Sequence, residues 1–317
     1  MFKTEICELF GIEYPILLGG MVWIGRAALA AAVSEAGGLG LLAAGGMTLE
    51  EIEGDIREIK KHTKKPFGVN IPLMRPDAAE MIDVSISGGA SVISTSAGSP
   101  KRFTGMIKDR GCRAIHVVSS VPFAEKSAEA GVDAIVAEGF EAGGHNGFDE
   151  IATMALLPQV VDAVDVPVIA AGGIADGRGF VAALSLGARG VQMGTRFVAT
   201  HESAAHQNFK DAVLNVTDSG TTITGRAIGP TRGIKNRLTE KIHDAERRNV
   251  SREELLDLIG EGRSAMASVN GDVEEGSVYC GQIGGMIKEI KSVQDVIDDI
   301  IAEARDVVDS VKMLIAE

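Results

Sequence analysis

The sequence predicts an α/β protein built as a (β/α)8 TIM barrel, with a small, mostly helical C-terminal excursion over the barrel mouth. Eight short apolar runs alternate with amphipathic helical stretches, which is the pattern of parallel strands joined by helices. Eight such units fit within about 210 residues, whereas an open doubly wound sheet normally uses fewer strands. Glycine accounts for 39 of the 317 residues and aromatic residues for 4%, a composition that suits tight turns between strands and helices.

The eight predicted strands are short runs rich in apolar and β-branched residues. They are Tyr14–Leu18, Gly38–Ala43, Pro66–Asn70, Ser91–Thr95, Arg113–Ser119, Asp133–Ala137, Val166–Ala171 and Gly190–Met193. The helices expected after them are Arg26–Ala36, Thr48–His62, Asp77–Ser87, Pro100–Gly111, Pro122–Gly131, Glu150–Val164, Gly177–Gly187 and Ala199–Phe209. Glycine at positions 37, 111, 131 and 187, just after the helical pattern or at its end, is typical of a helix C-cap.

The alternation of strands and helices ends near residue 210, and we expect three regions. Residues 1–210 form the barrel, residues 211–290 form a small helical region that covers the substrate site, and residues 291–317 form a helix that packs on the body. The middle region holds turn signals such as Asn270-Gly271, together with the charged helix Arg252–Ile259. The last region has apolar residues near helical spacing from Val293 to Leu314.

Charge and cysteine content restrict the class of protein. The 31 Lys and Arg residues against 44 Asp and Glu residues give a formal net charge of −13, which argues against general binding to nucleic acid or to anionic membranes. No apolar segment reaches the roughly 18–20 residues of a membrane helix, and no signal peptide is apparent at the N-terminus. Three cysteines without paired metal-ligand spacing indicate reduced thiols, no metal site and a cytoplasmic protein.

The candidate active-site loop is Glu138–Gly147, which follows the sixth predicted strand. It contains four glycines, two carboxylates and His145. The loops at the carboxyl ends of barrel strands carry the chemistry, and glycine allows the backbone to approach a ligand closely. A lone loop histidine is more often a solvated turn residue, but two further glycine loops follow strands downstream.

The seventh and eighth predicted strands also end in glycine, in Gly172-Gly173 and Gly194-Thr195 respectively. The loops after these two strands often bind phosphate, because free backbone N–H groups and a helix N-terminus meet there. Either pair alone is as well explained as a helix-start device. Together, and with few charged catalytic residues elsewhere, they favour a phosphorylated cofactor, and FMN fits. Gly19-Gly20-Met21 and Asn70 would then line the flavin ring.

These motifs resemble those of the nitronate monooxygenase (2-nitropropane dioxygenase) family, which also contains FMN-dependent enoyl-acyl-carrier-protein reductases and NAD(P)H:quinone reductases. The resemblance covers nearly the whole chain, most specifically residues 14–197. The matching stretches are Gly19–Met21, Ala36–Gly40, Gly68–Asn70, Glu141–Gly147, Ala171–Ile174 and Gln192–Phe197, with a weaker match at Gly276–Gln282.

The resemblance implies a non-covalently bound FMN with His145 beside it as the catalytic residue. By the same resemblance Gly143 and Gly144 pass under the ring, and the glycine pairs after the last two strands hold the phosphate. The expected cofactor contacts are Gly20, Met21, Asn70, Glu138, Gly143, Gly144, Gly172, Gly173, Gln192, Gly194 and Thr195. Two interpretations stay open for both Glu138 and Glu141: each could orient His145 or simply cap the next helix. Many family members have Arg or Ile after the histidine, where this chain has Asn146.

Two reactions remain open within this family. In the first, an alkyl nitronate reduces the flavin, dioxygen reoxidises it, and His145 accepts a proton or binds the nitro oxygens; likeness slightly favours this reaction. In the second, NADH or NADPH reduces FMN, which then reduces an enoyl thioester or a quinone. A cluster of basic residues modestly favours the second reaction, because acyl carrier protein is acidic. Its members are Arg226, Arg232, Lys235, Arg237 and Lys241.

Other interpretations of the chain stay open at this point. The basic cluster is equally explained as an ordinary solvated surface. A barrel that binds flavin only as a sensor or store is the non-enzymatic alternative, because a fold does not determine a function. Both reactions imply a small-molecule substrate, and a homodimer is permitted without being required.

Overall fold

The computed structural model describes residues 2–315 and contains the predicted barrel. The strands are β1 Ile16–Leu18, β2 Gly40–Ala43, β3 Phe67–Pro72, β4 Val92–Ser96, β5 Arg113–Val118, β6 Ala134–Glu138, β7 Gly144–His145, β8 Val168–Ala171, β9 Gly190–Met193, β10 Thr221–Thr224 and β11 Thr231–Ile234. Eight of them form a parallel sheet in the order β1-β9-β8-β6-β5-β4-β3-β2. A parallel bridge between Leu17 and Leu39 brings the two ends of this sheet together. All eight predicted strands are confirmed.

The helices surround this sheet and follow its strands along the chain. They are α1 Glu5–Phe10, α2 Ala27–Glu35, α3 Leu49–His62, α4 Ala78–Gly88, α5 Thr104–Asp109, α6 Val121–Glu129, α7 Thr153–Ala163, α8 Gly177–Ser185, α9 Thr195–Val198, α10 Gln207–Asn215, α11 Arg237–Arg247, α12 Arg252–Ile259, α13 Arg263–Ser268 and α14 Val293–Ile315. The four glycines predicted to be helix caps have φ between +78° and +101°, which confirms them because glycine adopts this region without steric cost. None of the described helices combines the length and apolarity needed to cross a bilayer.

The apolar core fills the barrel and the layer between its strands and helices. Strands β1, β2, β8 and β9 are buried along their whole length, as expected for parallel strands covered on both faces. Helix α14 packs on α8 and α2. A side chain at Gly177 would overlap the backbone of Ala304, so the start of α8 lies directly against α14.

The helix predicted over Ala199–Phe209 is wrong, because α9 ends before this segment and α10 begins near its end. The residues between them contact the start of α14 instead. Thr200 forms a parallel bridge with Lys291, and the Glu202 carboxylate accepts a hydrogen bond from the Val293 backbone N–H at 3.1 Å. These long-range partners hold the segment in an irregular conformation.

A second sheet, which we did not predict from the sequence, consists of β10, β11 and β7. Strands β10 and β11 form an antiparallel hairpin. Strand β11 also pairs with β7, with Thr231 opposite His145 and Arg232 opposite Gly144. The region after residue 210 therefore adds two strands to its helices, and one of them pairs with the loop that follows β6.

Candidate active site

Polar side chains at the carboxyl ends of the barrel strands form the floor of the candidate site. Pairing places Glu138 beside Ala171 and Ala171 beside Gln192, and laterally paired residues of a parallel sheet project from the same face. On the other side of the barrel Asn70 pairs with Ser94, and its Nδ2 donates to Ser94 Oγ at 3.2 Å. The small side chain of Ala171 leaves room between two larger polar ones.

Two polar groups of this floor have no hydrogen-bond partner among the described residues. Gln192 is 7% exposed and its Oε1 is buried without a donor; such an unpaired acceptor costs about 1–3 kcal/mol. The Glu138 carboxyl has no hydrogen-bond partner among these residues either, and its burial away from water raises its pKa to about 7. The floor therefore offers unused hydrogen-bonding capacity to a polar ligand.

The loop after β1 lies at the mouth and contacts the ends of β3 and β9. A side chain at Gly20 would overlap the Asn70 amide, so this close approach requires glycine. The Met21 side chain lies next to Gly194, with its sulfur 3.4 Å from the place that a Cβ on that glycine would occupy. Gly20, Met21, Asn70 and Gly194 are therefore neighbours, as the predicted set requires.

The loops after β8 and β9 converge with a later segment of the chain. Gly172 and Gly173 both have positive φ, +84° and +73°, and a Cβ on Gly172 would lie 2.7 Å from the Gly139 carbonyl. Thr195 Oγ1 accepts a hydrogen bond from the Gly281 N–H at 2.9 Å. The hydroxyl proton of Thr195 is left to donate elsewhere.

Glu141 caps the next helix, which decides between its two interpretations. Its carboxylate accepts hydrogen bonds from the backbone N–H and the Oγ1 of Thr153, both at 2.9 Å, at the start of α7. Negative charge at a helix N-terminus is stabilising. Glu138 makes neither of the two proposed contacts among the described residues.

His145 lies at the mouth, with its backbone held in β7 and its side chain open to solvent. Surrounding protein removes part of the hydration of the ring and lowers the pKa of His145 below 6.5, so the imidazole is neutral at pH 7. Neither ring nitrogen has a hydrogen-bond partner among residues 2–315. The ring is therefore available to a substrate as a proton acceptor or donor.

Tyr279 is a site residue that the sequence did not single out. Its ring meets the His145 ring edge to face, with centroids 6.0 Å apart and planes at 64°. Burial raises the pKa of Tyr279, so the hydroxyl keeps its proton at neutral pH. Burial also raises the pKa of the adjacent Cys280 to about 12, which makes its thiol a poor nucleophile. The only sequence signal for this segment was the weak family match at Gly276–Gln282.

The two glycines before His145 have different environments. Gly144 has φ +84°, and a Cβ added to it would meet no atom within 4 Å, so it faces open space. A Cβ on Gly143 would lie 2.7 Å from the backbone of Cys280, so packing alone demands glycine there. Asn146 fastens this turn, because its Nδ2 donates to the Ala142 and Gly144 carbonyls at 3.0 and 2.9 Å.

The basic cluster does not form one surface. Arg232 is only 6% exposed, and its guanidinium donates to the Phe140 carbonyl. Three exposed members have acidic partners: Arg226 pairs with Glu150, and Arg237 and Lys241 both pair with Glu275. This pairing favours the interpretation of these three members as an ordinary surface.

The closed barrel, with glycine loops and His145 at the carboxyl ends of its strands, has the arrangement of a (β/α)8-barrel protein, and in barrel enzymes the active site lies at these ends. A sequence model of the nitronate monooxygenase family matches residues 3–86 and 80–303. The chain belongs to the nitronate monooxygenase family and is an oxidoreductase. The resemblance inferred from the motifs is confirmed.

Three relatives show how widely names vary among similar proteins. The structure of FabK from Thermotoga maritima is 42% identical, with a TM-score of 0.94, over 98% of this chain and 99% of that one. The (3aS,4S,5R,7aS)-5-hydroxy-7a-methyl-1-oxo-octahydro-1H-indene-4-carboxyl-CoA dehydrogenase of Mycobacterium tuberculosis is 35% identical over 95% of this chain and 96% of its own length. A probable nitronate monooxygenase of Staphylococcus saprophyticus is 34% identical over 76% and 81%.

Proposed function

We propose that the protein is an FMN-dependent oxidoreductase in which His145 handles a proton of the substrate. The observation that carries the proposal is the state of His145, which is neutral at pH 7 and has no described hydrogen-bond partner. A neutral imidazole at the mouth of a barrel can act as a general base or, once protonated, as a general acid.

The residues present fit FMN. The unpaired Gln192 Oε1 and the Asn70 amide on the other side of the barrel suit the polar edge of a flavin ring. The open space at Gly144 leaves room beside the ring. Gly172 and Gly173 after β8, together with Gly194 and the free hydroxyl proton of Thr195 after β9, suit a phosphate. Bound there, FMN would supply the redox chemistry that no side chain of this site can supply.

Alkyl nitronates are the first candidate substrates. The family model and the Staphylococcus relative support this assignment by their names. A nitronate already carries carbanion character at the carbon beside its nitrogen. His145 would therefore bind the nitro oxygens, or accept or donate a proton at that carbon. Dioxygen would be the final electron acceptor in this reaction.

Acyl thioesters are the second candidate substrates, and one observation favours them. The relative named as a carboxyl-CoA dehydrogenase aligns over 95% of the chain, against 76% for the nitronate monooxygenase. An enoyl thioester also activates the carbon next to an electron-withdrawing group, where His145 would donate or remove the proton. NADH or NADPH would then be the electron donor, and the thioester carrier would be coenzyme A or acyl carrier protein.

Anaerobic flavin reduction distinguishes the two candidates. The FMN-loaded protein is mixed separately with propyl nitronate, NADH or NADPH, and the absorbance of oxidised flavin is followed. Bleaching by the nitronate alone supports the first candidate. Bleaching by a pyridine nucleotide, reversed by crotonyl-CoA, supports the second. A purified protein that does not retain FMN would reject both.

A further inference from the structure

Arg232 is a buried cation in the sheet that joins the barrel to the later part of the chain. It is 6% exposed and forms no salt bridge within the described part of the chain. Burying an unneutralised guanidinium is costly, and desolvation lowers the pKa of Arg232. Because the packing of the four-residue strand β11 does not require an arginine, the presence of this buried side chain needs another explanation.

The guanidinium of Arg232 holds the start of the His145 loop. Its Nε and Nη2 donate to the Phe140 carbonyl at 3.1 and 3.0 Å, and its Nη1 donates to Thr221 Oγ1 at 3.2 Å. Its central carbon lies 5.4 Å from the centre of the Phe140 ring. A planar fork that donates two bonds to one oxygen and stacks on an aromatic face is specific to arginine.

The backbone of the same residue holds the end of the loop. Arg232 pairs with Gly144, and the adjacent Thr231 pairs with His145. The segment from Phe140 to the second attachment point at Gly144 includes Gly143, and both glycines have wide conformational freedom when unrestrained. One residue therefore fixes both ends of a glycine turn whose next residue is His145.

We propose that Arg232 is a positioning residue for His145, acting through the Phe140 carbonyl and the β7–β11 pairing. The inference rests on the role of His145 in the proposed function. Glu141 and Glu150 favour the charged form of Arg232, while Arg226 opposes it. Tyr279, the aromatic neighbour of His145, pairs through its backbone with Gly233, the residue next to Arg232 on β11, so its attachment does not use the arginine side chain.

The test compares Arg232→Ala and Arg232→Lys with Arg226→Ala as the matched control. Arg226 belongs to the same hairpin region but is exposed and pairs with Glu150. For Arg232→Ala we expect kcat to fall about 10–100-fold through misplacement of the proton-handling group, with unchanged FMN affinity. Added guanidinium at non-denaturing concentration should restore part of the rate. The Arg232→Lys variant keeps the positive charge but loses the planar fork, so its kcat should lie between those of the wild type and Arg232→Ala.

A second readout does not depend on turnover. The pKa of the His145 ring is followed by NMR in FMN-free protein, with the signal assigned through His145→Gln. Release of the loop should move the ring away from the surrounding protein that lowers its pKa, and so raise this pKa toward 6.5 in Arg232→Ala or, if that variant does not fold, in Arg232→Lys. An unmoved His145 pKa, or an equal loss of kcat in Arg226→Ala, overturns the inference.

The two proposals fail in different ways. Unchanged turnover of His145→Ala would reject the role of His145 in the reaction, and the NMR titration would still show whether Arg232 holds the ring. Low turnover of His145→Ala together with wild-type turnover of Arg232→Ala would reject only the positioning role.

Discussion

At the scale of single residues, Glu138 is a carboxyl group of the site whose pKa lies near neutral pH. Its folded-state pKa of about 7 lies above the ordinary value of 4.5, so the folded protein binds this proton more tightly than the unfolded chain. The free energy of unfolding therefore falls as pH rises from 4.5 to 7.

Replacing Glu138 by glutamine should remove this dependence. We expect Glu138→Gln to raise the free energy of unfolding of the FMN-free protein by about 1–3 kcal/mol at pH 8, with little change at pH 4. Urea unfolding at both pH values measures the difference. An equal effect at the two pH values would show that the carboxyl is not desolvated in the folded state.

His145 gives a kinetic prediction at the same scale. His145→Ala should lower kcat about 100-fold while FMN remains bound, because the loops after β8 and β9 are untouched. In the wild type, kcat/KM should fall as pH drops below the lowered pKa of His145, since the protonated ring is no longer a base. This acid limb should be absent from the pH profile of the variant, and its persistence would assign the titration to another group.

At the scale of elements, the loop after β9 can be tested through Gly194. The φ of Gly194 is not positive, and a Cβ added there would contact only the flexible Met21 side chain. We therefore expect Gly194→Ala to retain FMN affinity within a few-fold. Gly194→Asp places a negative charge where the phosphate is expected and should weaken binding about 100-fold or more. Titration with free FMN, followed by quenching of flavin fluorescence, compares the variants. Equal affinities would move the phosphate elsewhere.

The sequence predicted the elements whose signal is local. The eight barrel strands are short runs rich in apolar and β-branched residues, and the charged helix α12 has the predicted bounds. Strands β10 and β11, with sequences TTIT and TRGI, carry little apolar pattern. They pair with each other as a hairpin, and β11 also pairs with the distant β7. The helix predicted before α10 was wrong because that segment also depends on a long-range contact, in which the start of α14 holds Glu202.

The residues of the candidate site also fall into those with a local sequence signal and those placed by long-range pairing. Glycine loops at strand ends carry their own signal, so Gly20, Gly172 and Gly194 could be identified as loop residues from the sequence. Tyr279 and Arg232 reach the mouth only through long-range pairing with Gly233 and Gly144. No local pattern distinguishes such residues from an ordinary surface tyrosine or arginine.

At the scale of the whole molecule, α14 contributes to stability through its first half. Ile297 is fully buried, whereas Val311 is 49% exposed. We expect Ile297→Ala to lower the free energy of unfolding by about 2–4 kcal/mol, the cost of a cavity in a packed core. Val311→Ala should change it by less than about 0.5 kcal/mol. Urea unfolding of the two variants tests this, and similar losses would indicate that the exposed end of α14 is covered in solution.

The pairing of β7 with β11 also sets an order of events during synthesis. A nascent chain that has emerged from the ribosome only as far as residue 210 contains every barrel strand. It still lacks the strand that fixes His145 and the segment that places Tyr279 against it. If the barrel closes at that point, the loop that carries His145 would reach its final conformation only after translation has passed residue 279.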